Sequence, residues 1–320
     1  MKESFMTKYK PYKIDNFYLD VNVKEAIKTF IDMDELNIMI YGNHDTGKTM
    51  LVESIVREYY GLDNYDNLPE TNVLYINNLK EPGVQFYRNE MKTFCLTKCT
   101  IKNKKKIVLL DDIDNINEQS QQVFRNYIDR YKNNVHFLSV CTNIQKVIES
   151  LQSRVHIIQL KYPTKIQIND YIQKICDLEK IDMNSECKNY IIKMSNNSLR
   201  MISNYLEKIQ ILNLPIDIEL CKEACSNISI KHFEEYLHFY NNNDLSNGID
   251  TLYTLYNSGY SVIDILDFFF LFIKGTDKLP EDVKYKMIPF LCKYITIFHT
   301  IHEDPIELAL FTNSLFNDLK

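Results

Sequence analysis

The sequence predicts an α/β domain built on a parallel sheet, followed by a small helical domain and then an all-α domain. Three observations predict it. An apolar run at residues 36–41 passes into a turn carrying Gly42, Gly47, Lys48 and Thr49, and then into a run with helical spacing. A second apolar run, residues 107–110, ends in Asp111, Asp112 and Asp114, the pattern of a doubly buried strand that delivers carboxylates to one edge of an α/β sheet. After Tyr162-Pro163 the strand signals stop and helical periodicity continues to the end.

The elements follow in order. Lys8-Tyr9-Lys10-Pro11 closes a basic, Tyr-containing opening segment, and residues 23–32 have helical spacing of apolar side chains. Residues 38–41 read as a short buried strand and residues 50–60 as the helix leaving the turn. A β-rich run at 72–77 and a helical segment at 84–97 come next, then a basic patch at 102–106, read most simply as a solvated turn. Residues 118–131 form a polar helix with Val123, Phe124, Tyr127 and Ile128 inward; residues 135–141 form a buried strand ending at Thr142 and Asn143, and 155–160 is the last apolar run. Helices are expected at 165–180, 185–194 and 199–212, the third opened by the cap candidates Ser195-Asn196-Asn197-Ser198. Amphipathic segments follow at 230–240, 248–256, 262–273, 281–299 and 305–319, with His232, His238, His299 and His302 read as ordinary surface or core residues. A helical oligomerisation domain is the use this last third suggests.

Bulk properties narrow the function classes. A chain of 320 residues is long enough for two or three domains, and 45% hydrophobic residues supply their cores. A net charge of −6 excludes a surface that is basic all over, although a local basic face can still follow phosphates. The eight cysteines include no paired C-x₂-C sets. Cys95/Cys99 and Cys221/Cys225 share a helix face by spacing, as buried thiols or, less simply, as a metal site. The N-terminus has no apolar signal core, and the cluster at 265–273, interrupted by Asp267, falls short of a membrane span. The expectation is a soluble, intracellular protein without a membrane partner.

Chemistry concentrates in the turn at 41–51, YGNHDTGKTML. Its spacing is that of a phosphate-binding P-loop, in which a loop entering a helix N-terminus aims several backbone N–H groups at one anion. Gly42, Asn43, His44, Asp45, Thr46, Gly47, Lys48, Thr49 and Met50 are therefore the candidate ATP-binding residues. Lys48 supplies charge to the outer phosphates, and the Thr49 hydroxyl is a candidate ligand for Mg²⁺, which takes oxygen donors. The acidic strand end is a Walker B pattern, with Asp111 as the second metal candidate and Asp112 placed to orient or deprotonate water. Asn143, leaving the neighbouring strand, is a candidate sensor of the γ-phosphate. Arg154, just ahead of the last apolar run, is either a surface ion-pair partner or a finger aimed at a neighbour's nucleotide.

Taken together, these features resemble the AAA+ ATPases, and specifically the replication factor C small subunits. Tyr9 and Pro11 resemble a Tyr-Arg-Pro box near the adenine pocket, and residues 77–94 (NNLKEPGVQFYRNEMKTF) resemble a segment in which Gly83, Arg88, Lys92 and Phe94 keep the spacing while Pro82 replaces an Arg. Asn143 falls on the sensor asparagine, Gln152-Ser153-Arg154 on a Ser-Arg-Cys box, Asn197-Ser198-Leu199-Arg200 with Asn204 on a lid motif, and Ser258-Gly259-Tyr260-Ser261 with Asp264-Ile265 on a collar motif.

The resemblance implies an α/β P-loop AAA+ domain with a parallel sheet at residues 1–161, a small helical lid at 162–227 and an all-α collar at 228–320. It implies a clamp-loader subunit in a hetero-oligomer, pentameric in the family, that binds ATP and Mg²⁺ at subunit interfaces and loads a sliding clamp on primer-template DNA during DNA replication. Arg154 would then act in trans as the finger, and Arg200 as the lid residue sensing the γ-phosphate. Arg88 and Lys92, four apart on one helix, would follow DNA phosphates; the alternative is a solvated face paired with Glu90 or Glu81. Asn43, His44 and Asp45 replace the usual Pro-Pro-Gly, Asp112 replaces a Glu, and Val155 replaces the Cys. These departures make nucleotide binding a firmer expectation than fast hydrolysis. A structural subunit that holds nucleotide without turning it over and donates Arg154, or another AAA+ replication loader, are the alternatives, with a P-loop kinase more remote. Abundant Asn, Ile, Lys and Tyr suggest an AT-rich genome, consistent with a large DNA virus and a nuclear or virus-factory replication site.

Overall fold

The structure is a computed structural model that describes residues 3–63, 66–77, 84–212, 215–225, 228, 230–276, 278–298 and 303–318, without the side chains at 77, 84–88, 222–223, 230, 298 and 318. Five strands, β1 (Ile38–Gly42), β2 (Val73–Asn77), β3 (Lys106–Asp111), β4 (Val135–Cys141) and β5 (His156–Leu160), form one sheet in the order β2-β3-β4-β1-β5, with every pairing parallel. Burial explains the order. Strands β3 and β4 are buried at every position, so they occupy the interior, whereas β5 exposes His156, Ile157 and Gln159 and lies at an edge. Because the strands are parallel, the chain leaves Gly42, Asp111 and Cys141 at one edge of the sheet. Strand β4 lies between β1 and β3, so Thr142 and Asn143 emerge between the Gly42 turn and the acidic strand end.

The helices are α1 (Phe5–Lys8), α2 (Val21–Asp32), α3 (Lys48–Tyr60), α4 (Val84–Leu96), α5 (Glu118–Tyr131), α6 (Glu149–Gln152), α7 (Lys165–Glu179), α8 (Ser185–Met194), α9 (Leu199–Leu212), α10 (Ile218–Cys225), α11 (Ile230–Asn242), α12 (Leu245–Asn257), α13 (Val262–Gly275), α14 (Glu281–Phe298) and α15 (Ile306–Asp318). The period of two along each strand divides the sheet residues between two cores. Ile38, Ile40, Ile107, Leu109, Leu138 and Val140 pack with Leu51, Val52, Ile55 and Val56 of α3. Met39, Val108, Leu110 and Phe137 pack on the other face with Met91 and Cys95 of α4 and Phe124 and Ile128 of α5. Helix α3 is therefore fixed along one side of the sheet, and the turn feeding it is held by a fully packed element at each end.

The chain divides into two compact units, Met1–Met183 with Ile191–Ile211, and Asn184–Tyr190 with Leu212–Lys320. The second has its own core of Phe233, Tyr236, Leu252, Leu255, Ile265, Phe269, Met287, Leu291, Leu308 and Phe311. A Cβ on Gly248 of α12 would sit 3.0 Å from the Phe316 ring, so a hydrogen at this position lets α12 approach α15. The Ser258-Gly259-Tyr260-Ser261 stretch is the α12 to α13 turn. Gly259 takes a φ of +99°, and the Ser261 hydroxyl caps α13 by accepting from the Asp264 amide at 3.1 Å. No disulfide joins any of the eight cysteines, and Cys95, Cys221 and Cys225 are buried. Among the described residues no helix is long and apolar enough to cross a membrane.

At the opposite edge of the sheet the basic patch differs from its sequence reading as a solvated turn. Lys106 is buried in β3 with its ammonium 4.3 Å from the Phe94 ring centroid, and the Lys104 ammonium is 4.2 Å from that of Tyr59. Lys105 pairs with Asp34 at 2.9 Å. Lysine stems can cover apolar surface while their heads find partners, a possibility that a run of charges conceals. Asp34 also accepts from the Tyr59 hydroxyl at 2.7 Å and lies 3.0 Å from Nε2 of the buried His136, whose Nδ1 accepts from the Leu36 amide. That last bond places the imidazole proton on Nε2, facing the carboxylate.

Burial holds His136 below its ordinary pKa despite Asp34. Hydrogen bonds from Tyr59, Lys105 and His136 overcome burial to hold Asp34 at about 2. Both folded values lie below the unfolded ones, so the unfolded chain takes up protons first and both contributions decline as pH falls. The His136 part begins near the unfolded value of about 6.5, and the Asp34 part near about 3.9. The urea midpoint is therefore expected to drop between pH 7.5 and 5.5, and to drop less in His136→Gln. Equal slopes in the two proteins would remove His136 from this account.

Candidate functional site

The turn after β1 is shaped by two glycines for different reasons. A Cβ on Gly42 would lie 2.5 Å from the Leu160 carbonyl oxygen, so the close β1–β5 pairing at this point admits only hydrogen. Gly47 has a φ of +84° and stands immediately before α3, where the left-handed backbone turns the chain into the helix. Asp45, between them, is also left-handed, with a φ of +59°. Thr46 donates to the Asn43 carbonyl at 2.9 Å, and the His44 carbonyl accepts from the Tyr162 hydroxyl at 3.1 Å. Lys48 is buried and donates to the Gly42 and Asn43 carbonyls at 2.9 and 2.7 Å. Burial lowers its pKa, opposed by Asp112, Cys141, Asp114 and Asp111. The side chain of Met50 packs into the α3 core. The arrangement is a loop curled over its own lysine at a helix N-terminus, which suits a polyanion.

Asp111 faces this loop. Its carboxylate oxygens accept from the Thr49 hydroxyl at 3.3 and 3.4 Å and from the Tyr75 hydroxyl at 2.7 Å. Asp112 follows with a φ of +50°, turning the chain out of β3. Burial, and then the Asp111 and Asp114 carboxylates, push the Asp112 carboxyl above its usual range. Asp114 accepts from the Thr142 and Asn143 amides at 3.2 and 2.9 Å, clasping the end of β4 to the end of β3. The Asp111 carboxylate beside the Thr49 hydroxyl is an oxygen donor pair of the kind that Mg²⁺ takes, with phosphate and water completing the shell. Among the described residues no group of three or more His, Cys, Asp or Glu side chains is arranged to hold a metal. Thr49 and Asp111 thus stand together where the sequence placed them. Tyr75 joins them unannounced, because a β-strand tyrosine reads as core.

The remaining candidates occupy several positions. Asn143 is exposed, and its side-chain oxygen accepts from the Gln145 amide at 2.9 Å, so its amide group is the part left for a ligand. Arg154 is an exposed ion-pair partner in this single chain, with Nε 2.8 and 2.9 Å from the Asp129 oxygens and Nη1 2.6 Å from the Ser150 carbonyl. Arg200 reaches the loop from the first turn of α9, with Nη1 3.3 Å from Asp45 Oδ1, while the Ser198 hydroxyl donates to Asp45 Oδ2 at 3.3 Å. The opening segment lies along α3, with Lys10 paired to Glu53 at 2.6 Å and the Pro11 carbonyl accepting from Ser54 at 3.3 Å. Tyr9 and Lys8 both donate to Glu179 at the end of α7, and Ser4 donates to Glu207 of α9 at 2.9 Å. Lys92 is exposed on α4, whose Met91 and Cys95 are buried. Pro82, Gly83, the Arg88 side chain, His299 and His302 lie outside the described residues.

Comparison with known proteins agrees with this geometry. Residues 38–162 match the ATPase family associated with various cellular activities (AAA). The chain is 27% identical over 285 residues to a putative replication factor C small subunit of Acanthamoeba polyphaga mimivirus, covering 89% of this chain and 87% of that one. It is 26% identical over 313 residues to a replication factor C small subunit of Sulfolobus acidocaldarius, covering 96% and 94%. Similarity to replication factor C subunit 3 of Saccharomyces cerevisiae is 28% over 204 residues, 63% of this chain and 58% of the yeast one. In structure, the RuvB Holliday junction branch migration motor of Thermotoga maritima superposes with a TM-score of 0.52 at 14% identity, over 73% of this chain and 80% of that one, which shows a shared fold.

Two substitutions separate the halves of this site. Lys48→Ala is expected to weaken nucleotide binding with or without Mg²⁺, and Asp111→Asn to weaken only the Mg²⁺-dependent part. Losses on the order of tenfold or more are expected for removing a charged hydrogen-bonding group. Titration of a fluorescent ATP analogue, with Mg²⁺ and with chelator, checks both; a Mg²⁺ response intact in Asp111→Asn contradicts the metal assignment.

Proposed function

On the premise that this chain carries an AAA domain and is similar along most of its length to replication factor C small subunits, we propose that it is one subunit of a clamp loader. In this reading it binds ATP at subunit interfaces, takes part in opening a sliding clamp and gripping primer-template DNA during DNA replication, and releases the DNA on hydrolysis. Residues 1–161 form the nucleotide-binding part, 162–227 the lid and 228–320 the collar that joins a hetero-oligomer, pentameric as in the family it resembles. Its place of work is the replication site. The observation that carries the reading is the convergence of four side chains on one loop: Lys48 inside it, Thr49 against Asp111, and Arg200 brought to it from α9.

The roles follow from chemistry. Backbone N–H groups of the loop and the α3 dipole bind phosphates, and Lys48 exchanges loop carbonyls for phosphate oxygens. Thr49 and Asp111 would hold Mg²⁺, which, when bound, offsets phosphate charge. Tyr75 keeps Asp111 oriented, as its 2.7 Å hydrogen bond supports. Asp112 orients or accepts a proton from water, and Asn143, fixed in place through Asp114, contacts the terminal phosphate. Tyr9 and Pro11 lie on the adenine side. Arg154 leaves its exposed pair with Asp129 at little cost, since such pairs contribute about 0–1 kcal/mol, and reaches a neighbour's ATP. Arg88 and Lys92 follow DNA phosphates.

A second reading, a subunit that holds nucleotide without turning it over, is favoured by one feature. Asp112 is a methylene shorter than the Glu of the motif, and a misplacement of about 1 Å can cost on the order of a hundredfold in rate. Co-purified complexes decide between them. In the clamp-loading ATPase reading, Asp112→Asn abolishes the part of clamp- and DNA-stimulated turnover due to this subunit, and Arg154→Ala abolishes that of the adjacent site. In the structural reading only Arg154→Ala has an effect.

The DNA assignment has its own readout. Replacing Arg88 and Lys92 together by Ala is expected to weaken DNA binding by the complex and to lower its salt slope by about two phosphates' worth. An unchanged slope places these residues on a solvated face instead.

A further inference from the structure

The phosphate loop of this chain carries its own anion. Asp45 lies between Gly42 and Gly47 in a left-handed backbone conformation, so its carboxylate is part of the loop that would wrap phosphates. Each of its oxygens is engaged by the start of one helix: Oδ1 by the Arg200 guanidinium at 3.3 Å and Oδ2 by the Ser198 hydroxyl at 3.3 Å. Ser198 is also the residue before α9, and its oxygen accepts from the Met201 amide at 3.3 Å, so the carboxylate sits at the end of the helix where anions are favoured. Tyr162, bonded to the His44 carbonyl, holds the adjoining residue of the same loop. Helix α9 is thus joined to the phosphate loop by the chain's own side chains.

We propose that Asp45 is a specificity-determining residue: a built-in competitor of the terminal phosphate that keeps Arg200 and the start of α9 at the loop whichever nucleotide is bound. This rests on the ATP-binding reading of the site and goes beyond it. If Arg200 must leave a carboxylate to meet a phosphate, binding of a triphosphate gains only the difference between the two contacts. The unpaired Asp45 would also repel the incoming charge. A diphosphate, which leaves the Asp45–Arg200 pair in place, incurs neither loss. The wild-type chain therefore discriminates weakly between ATP and ADP, and α9 reports poorly on which one is present. Although an exposed pair contributes little to stability, it acts here on a difference between two ligands, where even a modest preference is read directly as a ratio of affinities.

The test uses the full chain, with calorimetric titration of MgATP and MgADP and amide hydrogen exchange of α9 without nucleotide. Wild type is expected to bind the two with affinities within about threefold of each other. Asp45→Asn is expected to raise the ATP-to-ADP ratio by about tenfold and to lower α9 protection in the nucleotide-free chain, with ATP restoring it. Combining it with Arg200→Gln is expected to cancel the gain. An unchanged ratio in Asp45→Asn, while wild type binds both nucleotides, overturns the competitor alone. If wild type binds neither nucleotide, and Lys48→Ala behaves identically, the nucleotide reading falls and takes this one with it.

Discussion

Strands β3 and β4 are buried along their whole length and run parallel, so their amide and carbonyl groups can bond only to neighbouring strands. That requirement fixes the register, and the register fixes the chemistry. Pairing of Tyr41 with Cys141 and of Leu110 with Ser139 brings the loop after β1, the amides after β4 and the acids after β3 to one edge. A one-residue slip in any pairing would reverse which side chains face which core, at a cost set by Ile, Leu and Val side chains worth about 1.5–3 kcal/mol each when buried. The site is precise because the sheet beneath it has no alternative register.

Much of this was legible in the sequence, and the reasons differ by element. Helices α5, α8 and α9 fall where periodicity placed them, because their apolar stripes are long and their caps are ordinary polar residues. The P-loop and the acidic strand end were legible because phosphate and metal chemistry restrict residue types at fixed spacing. What stayed hidden are contacts made by residues with a common alternative use. Tyr75 looks like a strand aromatic and Lys106 like solvent-facing charge, yet each is committed by partners distant in sequence. Helix α10 was not foreseen; its eight residues are too few for a periodic signal to stand out.

The second unit shows the complementary case. Its residues carry no motif of catalytic chemistry, but its packing is specified in detail by aromatic edges and one small residue. Tyr236, Phe269 and Phe311 meet edge to face, and the Tyr236 hydroxyl donates to Thr312 within the core. Rings that must meet at defined angles limit the ways five helices can pack, so this unit is built for shape. The Gly259 turn and Ser261 cap are part of that shape.

The opening segment has a mechanical consequence. Tyr9 is fastened to Glu179 at the end of α7, while Lys10 and Pro11 are fastened to Glu53 and Ser54 on α3. Between Tyr9 and Pro11 the backbone can stretch to about 7 Å at most, at roughly 3.3–3.6 Å per residue. That length is a leash. The end of α7 can tilt or slide relative to α3 only within its reach, and a wider swing would first have to unfasten one of its ends.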